Sequence, residues 1–176
     1  MSTLEVKAIQ APTGYDLQMP AGHILQVLSA TKTDTFTTTS TSFVDVTGLS
    51  VSITPSSTSS KILVLADVFL SNAGSTGRTY IKAMRDSTSI AVGDAASARE
   101  LCSSYFYGTT NETAGYDAEK SAFTYLDSPS STSALTYKIQ IKARSVTATL
   151  NRNGQDGDGD YSPRTASTIT VMEVQG

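Results

Sequence analysis

Leu135-Thr-Tyr-Lys-Ile-Gln-Ile-Lys142 alternates apolar and polar residues without a break. Leu135, Tyr137, Ile139 and Ile141 fall on one face, and Thr136, Lys138, Gln140 and Lys142 on the other. A period of two marks a strand with one buried and one wet face. Leu49, Val51 and Ile53 repeat the pattern against Ser50, Ser52 and Thr54, and Pro55 closes that segment. Lys61 to Leu70 is the most apolar segment and fits a helix or a buried strand. Val64, Val68 and the Pro-, Ser- and Gly-rich flanks favour a central strand.

Working outward, further strand segments are His23–Leu28, Thr33–Thr39, Phe43–Val46 ending at Thr47-Gly48, Leu101–Tyr107, Ser121–Leu126, Val146–Leu150 and Thr168–Val174. Tyr80–Arg85 and Ser89–Gly93 flank Asp86-Ser-Thr88 and read as a hairpin. Ser71–Gly77, Gly108–Gly115 and Asn151–Pro163 read as loops. Ala95 to Arg99 is small and polar and suits a turn of helix. Nine or ten strands at short, regular spacing predict a sandwich or barrel. A jelly-roll-like antiparallel β-sandwich is the first choice because the strand count is high.

Composition agrees with an all-β reading. The chain holds 51 Ser plus Thr, while charged residues make up only 16 %. Thr suits a half-exposed strand face and Ser suits turns. The net charge is −3 with no basic stripe, which argues against nucleic-acid binding. Cys102 is the sole cysteine, so no intrachain disulfide can form. A lone cysteine with apolar neighbours usually packs as a small hydrophobe. The opening Met1-Ser-Thr-Leu-Glu-Val-Lys lacks the apolar run of a signal peptide, and no apolar run is long enough for membrane insertion. The expectation is a soluble protein made in the cytoplasm.

Residues 1–22 read as an extended arm ahead of a β-sandwich domain at 23–176. Leu4, Val6 and Ile9 alternate with polar residues, and Pro12, Gly14, Pro20 and Gly22 interrupt any regular element. Leu4, Val6, Ile9, Pro12, Met19 and Pro20 are the candidate attachment residues. Such an arm has little core of its own and orders against another surface, for instance an exposed strand edge.

No catalytic residues are expected. His23, the sole histidine, would have to serve any Ser-His-Asp site, and a structural or solvent-facing role suits it better. No metalloprotease, nucleophile-elbow, phosphate-loop or Cys-x-x-Cys motif is present. Asp156, Asp158 and Asp160 alternate with glycine, as oxygen ligands do in calcium loops. Counting from Asp156, position six is Tyr161 and position twelve is Ser167, so this is not an EF-hand. A flexible acidic loop is the reading, with no metal and no cofactor. Tyr105, Tyr107, Tyr116 and Tyr125 cluster in sequence, and exposed tyrosine suits recognition of polar surfaces. About half of them are expected to be strand-face packing residues. Tyr105, Tyr107, Asn111, Tyr116, Arg152, Asp156, Asp158 and Asp160 are the candidate host-contact residues. Asn111-Glu112-Thr113 matches a glycosylation acceptor, to which no role is given.

Gly22-His-Ile-Leu-Gln-Val-Leu-Ser-Ala-Thr-Lys-Thr-Asp-Thr-Phe-Thr-Thr-Thr39 resembles virion proteins of tailed phages, especially those of cyanobacteria and other marine bacteria. Gly48–Val64, Met84–Asp94 and Ser167–Val174 share the resemblance, and Ser2–Gly14 looks like the attachment arm of fibre-like virion proteins. The resemblance implies a short tail or head fibre or a capsid decoration protein, commonly a homotrimer, on the virion surface. In it the arm binds other virion proteins of the capsid or tail, and the β-sandwich faces outward. The resemblance brings no catalytic residues. A lectin-like module that binds host surface glycan is the second reading. A depolymerase acting on envelope polysaccharide is the third.

Overall fold

A computed structural model describes residues 20–74, 76–108 and 115–176. Leu4, Val6, Ile9, Pro12, Met19 and Asn111 lie outside the described residues. The described strands are β1 (Ile24–Lys32), β2 (Phe36–Thr38), β3 (Val44–Ile53), β4 (Lys61–Ala73), β5 (Arg78–Arg85), β6 (Thr88–Ile90), β7 (Ser104–Tyr107), β8 (Ala118–Asp127), β9 (Leu135–Arg144), β10 (Thr147–Leu150) and β11 (Ser167–Val174). No helix occurs among the described residues, so none there is long and apolar enough to cross a membrane. At 95–99 the chain makes a turn rather than the expected helical one, with Arg99 N–H donating to the Ala96 carbonyl.

One sheet runs β1-β11-β4-β10-β2 with β8 on the free edge of β4. The other runs β3-β9-β5-β6 with β7 also on β5. Every pairing is antiparallel. Three pairs of short strands lie end to end: β10 and β11 along β4, β6 and β7 along β5, and β1 and β2 along β11 and β10. Counting each pair once reduces eleven strands to eight, and their orders become 1-8-3-6 and 2-7-4-5. Every connection except the β5–β6 hairpin then crosses between sheets. That wrapping is a jelly roll.

The core lies between the sheets. β4 sends Ile62, Val64, Ala66, Val68 and Leu70 inward, while its alternate residues face out. β9 supplies Leu135, Tyr137, Ile139, Ile141 and Ala143. Each fully buried aliphatic side chain contributes about 1.5–3 kcal/mol. In β3 the inward positions shift from Val44 and Val46 to Leu49, Val51 and Ile53. A bulge between Asp45 and Ser50 absorbs the change of phase, and Gly48 takes a φ of 85° there. Phe43–Val46 and Leu49–Ile53 are therefore parts of one continuous run, not two strands. The loop expected to start at Ser71 starts after Ala73, and the strand expected from Leu101 starts at Ser104.

The sandwich has two distinct ends. At the near end lie Ile24, Val174, Lys61 and Asp127, together with the 54–60 and 128–134 connections and the Asp86-Ser87 turn. Residues 20–23 enter here: Gly22 N–H donates to the Gln175 carbonyl and Gln175 N–H to that of His23. At the far end lie the connections at 39–43 and 145–146, together with residues 74, 76, 77, 108 and 115–117. The 151–166 excursion between β10 and β11 turns toward this end. Gly154 passes so close to the Asn72 carbonyl that an added Cβ would strike it.

Two buried carboxylates close the near end. Asp127 accepts both its Arg85 bonds at 2.7 and 2.8 Å and the Tyr137 hydroxyl at 2.7 Å. Burial and donation to Asp127 push the Tyr137 hydroxyl far above the usual phenol range. Glu173 accepts the Ser56 N–H and hydroxyl at 2.7 and 2.6 Å, and Gln26 Nε2 at 2.6 Å. Burial works against its charge, but the donors from Ser56 and Gln26 outweigh it and hold the carboxyl below the usual range.

Candidate functional site

The two candidate contact loops meet at the far end. Gln155 N–H donates to the Gly115 carbonyl at 3.0 Å. The Tyr116 and Tyr161 rings pack edge to face, with centroids 6.0 Å apart at 70°. Tyr107 ends β7, with the Arg78 guanidinium 4.9 Å from its ring centroid. Tyr105 sits two residues back on the same outward face, 6.2 Å from Tyr80. Tyr105, Tyr107, Tyr116 and Tyr125 are all exposed, so the expected packing role for half of them is not what the structure shows. Packing falls to Tyr137 and Tyr80 instead, which are buried.

Within the acidic loop, Asp156 bonds Arg152 at 3.3 Å and also pairs with Arg164. Arg152 additionally donates to the Asn153 carbonyl. Both residues thus help to hold the loop's own shape. Asp158 and Asp160 are exposed. A Cβ added at Gly157 or Gly159 would run into the Tyr161 ring. The alternating glycines therefore serve a ring that lies across the backbone. Among the described residues no three acidic, histidine or cysteine side chains converge as metal ligands.

His23 is exposed, and its Nδ1 lies 3.0 Å from the Pro20 carbonyl, three residues back. Pro20 is the one arm candidate within the described residues, and it stands at the near end.

A second feature escaped the sequence reading. A cleft of about 690 Å³ opens on the outer face of the β3-β9-β5-β7 sheet, toward the far end. Its floor comes from alternate, outward residues of two strands: Arg78 and Tyr80 on β5, Lys142 and Arg144 on β9. Residues 98–102 form the facing wall, tied to the floor by the Lys142–Glu100 ion pair. Tyr105 closes one side. Cys102 lines the cleft and is partly exposed, so it is not the core residue that its neighbours suggested. Burial first, then the Glu100 charge, push its thiol above the usual range, so it stays protonated at neutral pH. The signal was present in the sequence, since the polar face of Leu135–Arg144 carries Lys138, Lys142 and Arg144. Only the pairing with β5 reveals that Arg78 joins them.

No protein-family model matches the sequence, and no curated protein matches it either. Solved structures that resemble the fold include two of one virus. A crystal structure of the infectious bursal disease virus VP2 subviral particle aligns at 12 % identity over 97 % of this chain and 37 % of that one, with a TM-score of 0.46. A structure of the Gx strain of infectious bursal disease virus aligns at 14 % identity over 94 % and 40 %, with a TM-score of 0.42. The chain thus spans less than half the length of either. These likenesses are distant, and the jelly-roll assignment rests on strand order.

Proposed function

We propose that this chain is a non-enzymatic structural protein of a tailed-phage particle: a short tail or head fibre, or a capsid decoration protein. The observation that carries the reading is the opposition of the two ends. The residues that follow the candidate arm join the sandwich at the near end, while Tyr105, Tyr107, Tyr116 and Tyr161 and the cleft gather at the far end, with Tyr125 the exception among the exposed tyrosines described. An element that docks at one end and displays the other needs this arrangement. The resemblance of four stretches of sequence to phage virion proteins supports the same reading.

A homotrimer fits as well. β1 is an edge strand with Ile24, Val27 and Leu28 exposed, and an apolar edge is a ready surface for a neighbouring copy. Deleting residues 2–20 should leave a folded head that no longer joins particles, because symmetric docking through several arms depends on every arm. Incorporation at wild-type levels would refute the anchoring role.

The exposed tyrosines favour a second reading, a lectin-like module for host glycan. A glycan array with reproducible hits that Tyr107→Ala or Tyr116→Ala abolishes would support it. An array without hits would leave the structural reading alone in the field. The depolymerase reading finds no support at His23 or Cys102. Release of reducing ends from host polysaccharide would revive it.

A further inference from the structure

We propose that the cleft on the outer β3-β9-β5-β7 face binds an acidic saccharide, a sugar chain bearing carboxylate or phosphate groups. The lining sets four cations, Arg78, Arg99, Lys142 and Arg144, against one carboxylate, Glu100. The chain as a whole carries a net charge of −3, so this positive concentration runs against its composition. Lys142 engages Glu100. Among the described residues, none of the three arginines has a carboxylate partner.

Arg78 and Arg144 stand directly opposite each other in the β5–β9 register. Like charges in a cross-strand pair destabilise a sheet. Both side chains point away from the core, and of the two only Arg78 has a ring contact, with Tyr107. An anion seated between them turns the repulsion into attraction. Guanidinium presents a planar fork of donors that matches carboxylate and phosphate oxygens. Lys82 and Lys138, on the same outer face, do not line the cleft, and Lys138 bonds Asp45 at 2.7 Å.

Aromatic groups extend the chemistry beyond a simple anion site. Tyr105 is 55 % exposed at the rim and stands beside Tyr80. An exposed phenol offers a flat apolar face and a hydroxyl, which suits the C–H face and the hydroxyls of a sugar ring. The volume is that of a small-molecule site, which is about 300–1,000 Å³. A short cleft of this kind is not the extended basic stripe that tracks a nucleic-acid backbone. The cleft opens toward the far end, away from Pro20 and Gly22.

Isothermal titration calorimetry of the full chain separates the alternatives, using trigalacturonic acid, uncharged maltotriose and inorganic phosphate. Trigalacturonic acid should bind, with an affinity that falls as salt is raised. Maltotriose should bind at least about tenfold more weakly, a difference of roughly 1.4 kcal/mol. Arg144→Ala and Arg99→Ala should each weaken trigalacturonate about tenfold, while Lys120→Ala, on the other sheet, should leave it unchanged. Tyr105→Ala should weaken trigalacturonate but not phosphate. The proposal is overturned if trigalacturonate gives no heat, if maltotriose binds equally well, or if the arginine variants bind like the wild type. It is also overturned if phosphate binds as tightly as trigalacturonate and Tyr105→Ala changes neither, which marks a generic anion site. The inference goes beyond the virion reading and does not need it, since particle incorporation and saccharide binding are measured separately.

Discussion

The two ends of this jelly roll handle charge in opposite ways. At the near end, Asp127 and Glu173 point between the sheets, and their oxygens are met by Arg85, Tyr137, Ser56 and Gln26. At the far end, Arg78, Arg99 and Arg144 line an open cleft with no carboxylate partner among the described residues. Four tyrosines there, Tyr105, Tyr107, Tyr116 and Tyr161, are exposed. Buried polar groups that are fully satisfied specify a structure, while exposed aromatic and cationic groups leave binding capacity unused. The contrast separates an end whose buried charges are satisfied within the fold from an end whose cations and tyrosines are open to solvent.

Breaking the near end should cost most. Asp127→Ala strands Arg85 and the buried Tyr137 hydroxyl. Loss of one partner of a buried pair is expected to destabilise by about 3–5 kcal/mol, read as a lower urea midpoint. A change below about 1 kcal/mol would mean that the pair is not a structural clasp.

Glu173 provides the pH test. Its folded pKa lies below its unfolded value, so its contribution is fully present above the unfolded value and is lost as pH falls through the folded one. Stability should therefore drop below about pH 4. Glu173→Gln should cost roughly 1–2 kcal/mol at neutral pH and flatten that acid limb. An unchanged acid limb would assign it to other carboxylates.

Tyr161→Ala removes the ring that packs on Tyr116 and on the two glycines. It should cost about 1 kcal/mol globally and raise hydrogen exchange only in 151–166 and near Tyr116. Exchange rising across β4 and β11 as well would show that the excursion is part of the core. Arg144→Gln should have the smallest effect, within about 0.5 kcal/mol and on the stabilising side, because it relieves the Arg78–Arg144 repulsion. A clear loss of stability would show that Arg144 holds the fold.

The strand alternation made the fold legible, because a period of two survives wherever one face is wet. Leu135–Lys142 and Lys61–Leu70 read correctly for that reason. The β3 bulge was hidden, since a slip of phase at Thr47-Gly48 looks the same as the end of a strand. The short strands stacked end to end also hid the eight-strand order, which only the pairing discloses. At the far end, the tyrosines and both contact loops were visible as composition. The cleft was not, because Arg78 and Arg144 are far apart in sequence and meet only through the β5–β9 register, and Arg99 reaches them from the separate 98–102 segment. Asp156, Asp158 and Asp160 in alternation with glycine raised the question of calcium, while Gly157 and Gly159 make room for the Tyr161 ring four and two residues on.

Electron cryomicroscopy of the intact particle tests the central claim, that one end docks and the other displays. The account predicts the near end, with Gly22, the 54–60 loop and the 128–134 loop, against the particle, and Tyr107, Tyr116 and the cleft facing outward. The reverse orientation, or particles that lack the chain, would contradict it.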